Sequence, residues 1–150
     1  MKIAIGSDHA GFSLKETIKS SLDDVEFMDV GTHGGEPVDY PDYISRVARA
    51  VQTGEAELGI GICGTGIGAS ITANKFKGIR AALCTNEFMA EMSRRHNNAN
   101  VLILAARVLG EDLALRIVRT WRESPFEGGR HQRRIDKISA IEKGGNQTPS

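Results

Sequence analysis

Apolar residues gather along the chain in five short runs: Lys2–Gly6, Val25–Val30, Leu58–Ile62, Arg80–Cys84 and Val101–Leu104. The runs are apolar nearly throughout rather than alternating, the pattern of strands covered on both faces in a parallel sheet. Between them the spacing lengthens to that of helices. Ile44, Val47, Ala48 and Val51 follow an i, i+3, i+4, i+7 stripe that can begin with Pro41 in its first turn and stop at Gly54. Leu113, Ile117 and Trp121, with Ala114 and Val118 beside them, form a second stripe ending before Pro125. Phe12–Leu22 and Asn86–Arg95 predict two further helices. Strands alternating with helices predict a three-layer α/β/α, doubly wound (Rossmann-like) domain on a five-stranded parallel sheet. Ligands of such sheets bind beyond the carboxyl ends of the strands, where Ser7-Asp8-His9, Cys63–Gly68 and Thr85-Asn86 converge.

One helical segment comes after the sheet is complete. Arg130–Lys143 follows the flexible Glu127-Gly128-Gly129 and carries Ile135, Ile138 and Ile141 on one side. That face requires burial, on its own domain or on a second copy. Residues 144–150 predict a disordered tail, leaving residues 1–143 as a single domain.

Charge narrows the partners. The 19 Lys and Arg residues balance 19 Asp and Glu, so a nucleic-acid binder that depends on a general basic surface is not expected. Local clusters at Arg94-Arg95-His96 and Arg130-His131-Gln132-Arg133-Arg134 can still hold a small anion. No stretch approaches the roughly 18 apolar residues of a membrane span, and Lys2-Ile3-Ala4-Ile5-Gly6 lacks a signal-peptide layout, so the expected location is cytoplasmic. Cys63 and Cys84 end apolar runs without metal-ligand spacing, which predicts reduced thiols and no metal site, with Cys84 structural.

Cys63 is followed by Gly64-Thr65-Gly66-Ile67-Gly68, a turn leading into a helix. Backbone N–H groups in such a turn stabilise a thiolate, an oxyanion or a phosphate. Gly64, Gly66 and Ala69 also fit G-x-G-x-x-G/A, with Glu87 a loose counterpart of the acidic residue about twenty positions on. A thiol at the mouth of the turn has no part in dinucleotide binding, and 150 residues leave little room for a separate substrate domain. A thiol with its pKa lowered toward neutrality suits a general base, and the N–H groups suit the negative oxygen that develops when a proton leaves beside a carbonyl. Nucleophilic attack is the competing use, with His9, His96 or His131 as candidate partner.

Gly6-Ser7-Asp8-His9-Ala10-Gly11-Phe12, Asp39-Tyr40-Pro41, Ile62–Gly68, Ala73-Asn74-Lys75, Gly78-Ile79-Arg80-Ala81, His96–Val101 and Glu127-Gly128-Gly129-Arg130-His131 together resemble the ribose-5-phosphate isomerase B family, from the first strand to about Glu142. The resemblance implies metal-independent, cofactor-free interconversion of ribose 5-phosphate and ribulose 5-phosphate through an enediolate. It implies that Cys63 is the base and that Thr65 and His96 assist furanose opening. Asp8 and Tyr40 would lie near the sugar, and Gly64, Gly66, Ile67, Gly68 and Asn97 would hold the enediolate oxygens. His9, Arg107, Arg130 and Arg134 would bind the phosphate, as arginine forks suit it; Arg133 has no assigned role. It further implies a homodimer, which can pair into a tetramer, whose sites are shared between subunits, with Arg107, Arg130 and Arg134 across the interface from Cys63.

Ala69 stands where a subgroup lacking the thiol is thought to use glutamate, so Cys63 has no substitute. His96 and the Gly-Gly-Arg-His run favour a pentose phosphate over the substrates of related galactose-6-phosphate isomerase subunits. A hexose 6-phosphate such as allose 6-phosphate is the alternative substrate. A noncatalytic module for sugar phosphates or nucleotides is the alternative of a different class.

Overall fold

A computed structural model describes residues 1–144; the tail expected to be disordered lies, from residue 145 on, outside the described residues. Strands β1 (Lys2–Ser7), β2 (Glu26–Asp29), β3 (Leu58–Cys63), β4 (Ala81–Leu83) and β5 (Val101–Ala105) form one parallel sheet in the order β2-β1-β3-β5-β4. The connecting helices are α1 (Phe12–Ser21), α2 (Tyr40–Gln52), α3 (Ile67–Ala73), α4 (Glu87–Arg95) and α5 (Glu111–Glu123), and α6 (Arg130–Glu142) follows the last of them. The chain winds outward from β1 to β2 and then crosses to β3, so the switch point lies between β1 and β3. Their carboxyl ends are Ser7 and Cys63.

Successive side chains of a strand point to opposite faces, and the core divides accordingly. Ile3, Ile5, Ile60, Ile62, Leu102 and Leu104 pack with Ile18 of α1 and with Ile117, Val118 and Trp121 of α5. Ala4, Cys63, Val101 and Ile103 pack with Ile44, Val47 and Ala48 of α2 and with Ala69 and Ala73 of α3. Glycine on β3 lets α2 come close: a Cβ on Gly61 would stand 2.9 Å from Ile44 Cδ1 and 3.0 Å from Ile103 Cδ1.

The predicted elements hold, with two edge strands shorter than expected. Arg80 lies outside β4 because its N–H donates to the Asn100 side-chain oxygen at 2.8 Å. On the other edge, Val25 and Val30 fall outside β2, although the Val30 N–H still donates to Ile5 O at 2.9 Å. Helix α6 packs on its own chain at both ends, through buried His131 and Ile135 and through Glu142 Oε1, which accepts from the Gly78 N–H at 2.9 Å. Ile138 and Ile141 stay open, 49% and 65% exposed, and with Ile79, Ala81, Ala82 and Ala99 they line an apolar groove of about 510 Å³ along β4. Among the described residues, no helix is long and apolar enough to cross a membrane.

Candidate functional site

Cys63 is the last residue of β3 and is 4% exposed. Asp8 meets it from the neighbouring strand: its N–H donates to Ile62 O at 3.3 Å, and its carboxylate accepts from the Gly11 N–H at 3.1 Å, which holds the side chain at the switch point. His9 follows, and its Nδ1 accepts from the Val38 N–H at 3.1 Å. That bond puts the proton of the neutral ring on Nε2, so the free nitrogen is a donor.

In the turn after Cys63, Thr65 and Ile67 are exposed, whereas Gly64 and Gly66 are buried. Gly66 adopts φ +76° at the N-cap of α3, a conformation that favours glycine. Thr65 is exposed and its hydroxyl accepts from the Ile67 N–H at 3.3 Å. Among the described residues, no protein group accepts from the N–H groups of Gly64, Thr65 or Gly66. Tyr40, at the start of α2, lies against the turn, since a Cβ on Gly68 would come within 2.6 Å of its Oη and Cε2. Arg107 closes the other side: its N–H donates to Gly64 O at 2.9 Å, and a Cβ on Gly64 would stand 3.3 Å from its Cδ and Nη1. Arg107 therefore belongs to the Cys63 side of its own chain. The expectation that it reaches the thiol from across an interface is corrected: the bend after β5 seats it beside Gly64.

The other predicted residues collect elsewhere. His96 caps the C-terminus of α4 and Asn97 follows it, with Arg80 Nε donating to Asn97 O at 3.1 Å and Asn98 O at 3.0 Å. The rings of His96 and His131 stack, with centroids 4.1 Å apart and planes 9° apart. Arg130 and Arg134 extend from the first turns of α6, exposed and four residues apart on one face.

These two groups lie at opposite ends of the sheet. In the β3–β5 register Cys63 faces Ala105, whereas Gly59 faces Val101 and its N–H donates to Asn100 O at 2.9 Å. The four strand steps from Gly59 to Cys63 span about 13 Å, and His96 lies beyond Asn100 on the far side. Within one chain, Asp8, His9, Tyr40, the Cys63–Gly68 turn and Arg107 gather at the carboxyl ends of the strands, and His96, Asn97, Arg130 and Arg134 gather toward the opposite ends.

Glu127, with no role assigned from sequence, and His131, named there only as a candidate partner of the thiol and in an anion-holding cluster, sit beside His96. Glu127 Oε1 lies 3.9 Å from His96 Nε2 and 3.6 Å from His131 Nε2, and its Oε2 accepts from Arg95 Nε at 2.6 Å. Desolvation alone would raise the Glu127 carboxyl, but the Arg95 hydrogen bond and the nearby positive charges outweigh it and hold it below the usual carboxylate range. The signal available in the sequence was their place in the Glu127–His131 motif. These three ligand atoms lie within 4.8 Å of one another. Parallel imidazoles, however, aim their in-plane lone pairs side by side rather than at one metal.

A family model described as Ribose/Galactose Isomerase matches residues 3–138. The ribose-5-phosphate isomerase B of Escherichia coli is 52% identical over 144 residues, covering 95% of this chain and 97% of that protein. The ribose-5-phosphate isomerase B structure from Clostridium thermocellum is 58% identical with TM-score 0.94, covering 96% of this chain and 99% of that one. The enzyme of Mycoplasma genitalium, solved with bound ribulose 5-phosphate, is 44% identical with TM-score 0.90, covering 95% and 96%. A thiol-bearing glycine turn at the switch point of a five-stranded parallel sheet, matched end to end in fold and sequence, makes this chain a member of the ribose/galactose isomerase family.

Proposed function

We propose that the chain interconverts D-ribose 5-phosphate and D-ribulose 5-phosphate in a site assembled from two copies, each giving its Cys63 half to one site and its His96 half to the other. The observation that carries the chemistry is the thiol at the end of β3 beside three backbone N–H groups that have no acceptor among the described residues. Opening comes first. The bond from C1 to the ring oxygen breaks with its electron pair going to that oxygen, which takes a proton from His96. The C1 hydroxyl gives up its proton through the Thr65 hydroxyl to solvent and becomes the carbonyl oxygen. The Cys63 thiolate then takes the C2 proton, and the electron pair moves through C1 onto O1, which the N–H groups of the turn stabilise. The O2 proton passes to O1, the thiol returns its proton to C1, and C2 becomes the ketone.

His9 through Nε2–H and Arg107 grip the phosphate from one chain; Arg130 and Arg134 do so from the other. The surface a second copy would cover is apolar: Ile67, Ile71, Phe88, Ile138 and Ile141 are all exposed in one chain. The expected setting is the cytoplasm, where the thiol stays reduced. Ribulose 5-phosphate formation is followed with wild type and Cys63→Ala, with a chelator present. Turnover that vanishes with the thiol supports the reading. A fully active Cys63→Ala refutes the base, and a folded, inactive wild type refutes the activity.

A further inference from the structure

We propose that Glu127 and His131 are positioning residues for His96: His131 fixes the plane of the His96 ring by stacking, and Glu127 sets the edge at which the stacked pair carries its proton. The proposal rests on the reading of His96 as the group that protonates the sugar ring oxygen.

His131 is buried in the first turn of α6, with its N–H donating to Gly128 O at 3.1 Å, so its ring is a fixed surface, while His96 is partly exposed at the end of a helix. A face-to-face contact at 4.1 Å removes rotation about the His96 side-chain bonds that exposure would otherwise permit. Glu127 is itself held. Its N–H donates to Arg95 O at 3.0 Å, its Oε2 accepts from Arg95 Nε, and Arg95 is braced by Glu91 at 2.7 Å. Only Oε1 is left for the imidazoles, and it lies near both Nε2 atoms, outside direct hydrogen-bonding range, where it acts by charge.

Two stacked imidazoles cannot both carry a proton without strong repulsion. Desolvation, with the charges of His96, Arg130 and Arg134 against the pull of Glu127, pushes the His131 imidazolium down. His131 is the buried ring and the one disfavoured in its charged form, so His96, partly exposed, is the ring placed to meet the sugar. Ring opening then has a proton donor of fixed plane and fixed protonated edge, which is how a supporting carboxylate tunes a histidine in other sites.

The test separates ring opening from proton abstraction. Ribulose 5-phosphate has its 5-oxygen blocked by phosphate and cannot close a five-membered ring, so wash-in of solvent deuterium at its C1 needs Cys63 but no ring chemistry. Glu127→Gln and His131→Ala should each lose about 10–100-fold in turnover of ribose 5-phosphate while C1 wash-in stays within about threefold of wild type. His131→Phe, which keeps a flat ring without a proton, should regain most of the loss of His131→Ala. Wash-in that falls in step with turnover would mean a merely structural role, and turnover unmoved in both variants would mean no role; either overturns the proposal. Failure of the underlying isomerase reading looks different: Cys63→Ala would keep its wash-in, or wild type would show none.

Discussion

Two variants that are each inactive should restore one another when they damage opposite ends of the sheet, and fail to do so when they damage the same end. Cys63→Ala removes the proton carrier from one half-site, and His96→Ala removes the ring-opening group from the other. In a mixed dimer, one site receives both lesions and the second receives neither. Each mixed dimer keeps one working site of two, so isolated mixed dimers should recover to about half of wild-type activity per dimer. Cys63→Ala paired with Arg107→Ala should recover nothing, because Arg107 lies over Gly64 of its own chain and both lesions fall in the same half-site. The contrast depends on geometry. A single chain would have to bridge the roughly 13 Å from Gly59 to Cys63, and more, to bring its own His96 to its own thiol.

The assay co-expresses differently tagged variants, isolates mixed dimers by both tags, verifies them by native mass spectrometry, and measures ribulose 5-phosphate formation per dimer. Verified mixed dimers of the first pair without activity would refute the split site. Recovery in the second pair would return Arg107 to the far side of an interface.

Lys15 is fully buried, with Nζ donating to Asp29 Oδ1 at 2.7 Å and Thr32 O at 2.5 Å; Lys15→Ala takes the buried donor from Thr32 O while Asp29 keeps Lys19 and the Gly31 N–H, and should cost about 1–3 kcal/mol by urea unfolding, with a loss under about 0.5 kcal/mol refuting the burial argument. Burial pushes the Cys84 thiol up to about 11 from its ordinary 9.0, so folding favours the protonated form: this contribution is complete below about pH 9 and is lost as pH rises toward 11. Cys84→Ala should therefore flatten the alkaline fall in urea midpoint, and an unchanged slope would contradict the assignment. Gly68→Ala would drive a methyl into Tyr40 and should raise KM for ribose 5-phosphate about tenfold through a displaced ring, with kinetics at wild-type KM showing that Tyr40 does not border the sugar.

The sheet and its helices were legible because their signals are local. The uninterrupted apolar runs, the Ile44–Val51 stripe and the Pro41 and Gly54 stops each dictate an element without reference to the rest of the chain. The meeting of Asp8, His9 and the Cys63 turn was legible for a related reason, since strand ends in a doubly wound sheet come together at the switch point. What escaped was the partition of the remaining residues. Arg107 follows β5 by two positions and shares no sequence neighbourhood with Gly64, and only the register Cys63 to Ala105 places it there. His96 and His131 are joined by an α6 whose return onto α4 is set by Glu127 and Arg95, a contact across 32 positions that no spacing rule reports. Ends of edge strands also depend on competition: the Asn100 side chain takes the Arg80 N–H that a ladder would have used.

The proposed split site answers to how little cover this fold gives its own binding edge. A doubly wound sheet exposes ligands at the carboxyl ends of its strands, and larger enzymes close that crevice with a second domain. Here the thiol, the turn after it and Arg107 lie at one end of the strands, while Arg130 and Arg134 sit toward the opposite end, held there by a helix that begins only after the sheet is finished. Arg130 and Arg134 are exposed on α6 with no acid from their own chain bonded to them among the described residues, and two cations displayed side by side are self-repelling until an anion lies between them. In the proposed dimer, a second copy turned end for end would bring those arginines and His96 over the first copy's Cys63 and the first copy's over the second's, closing two crevices with one interface. On that account dimerisation is part of the active site's construction, and loss of activity on dilution below the dimer's dissociation constant should track the monomer fraction measured by analytical ultracentrifugation rather than any loss of fold.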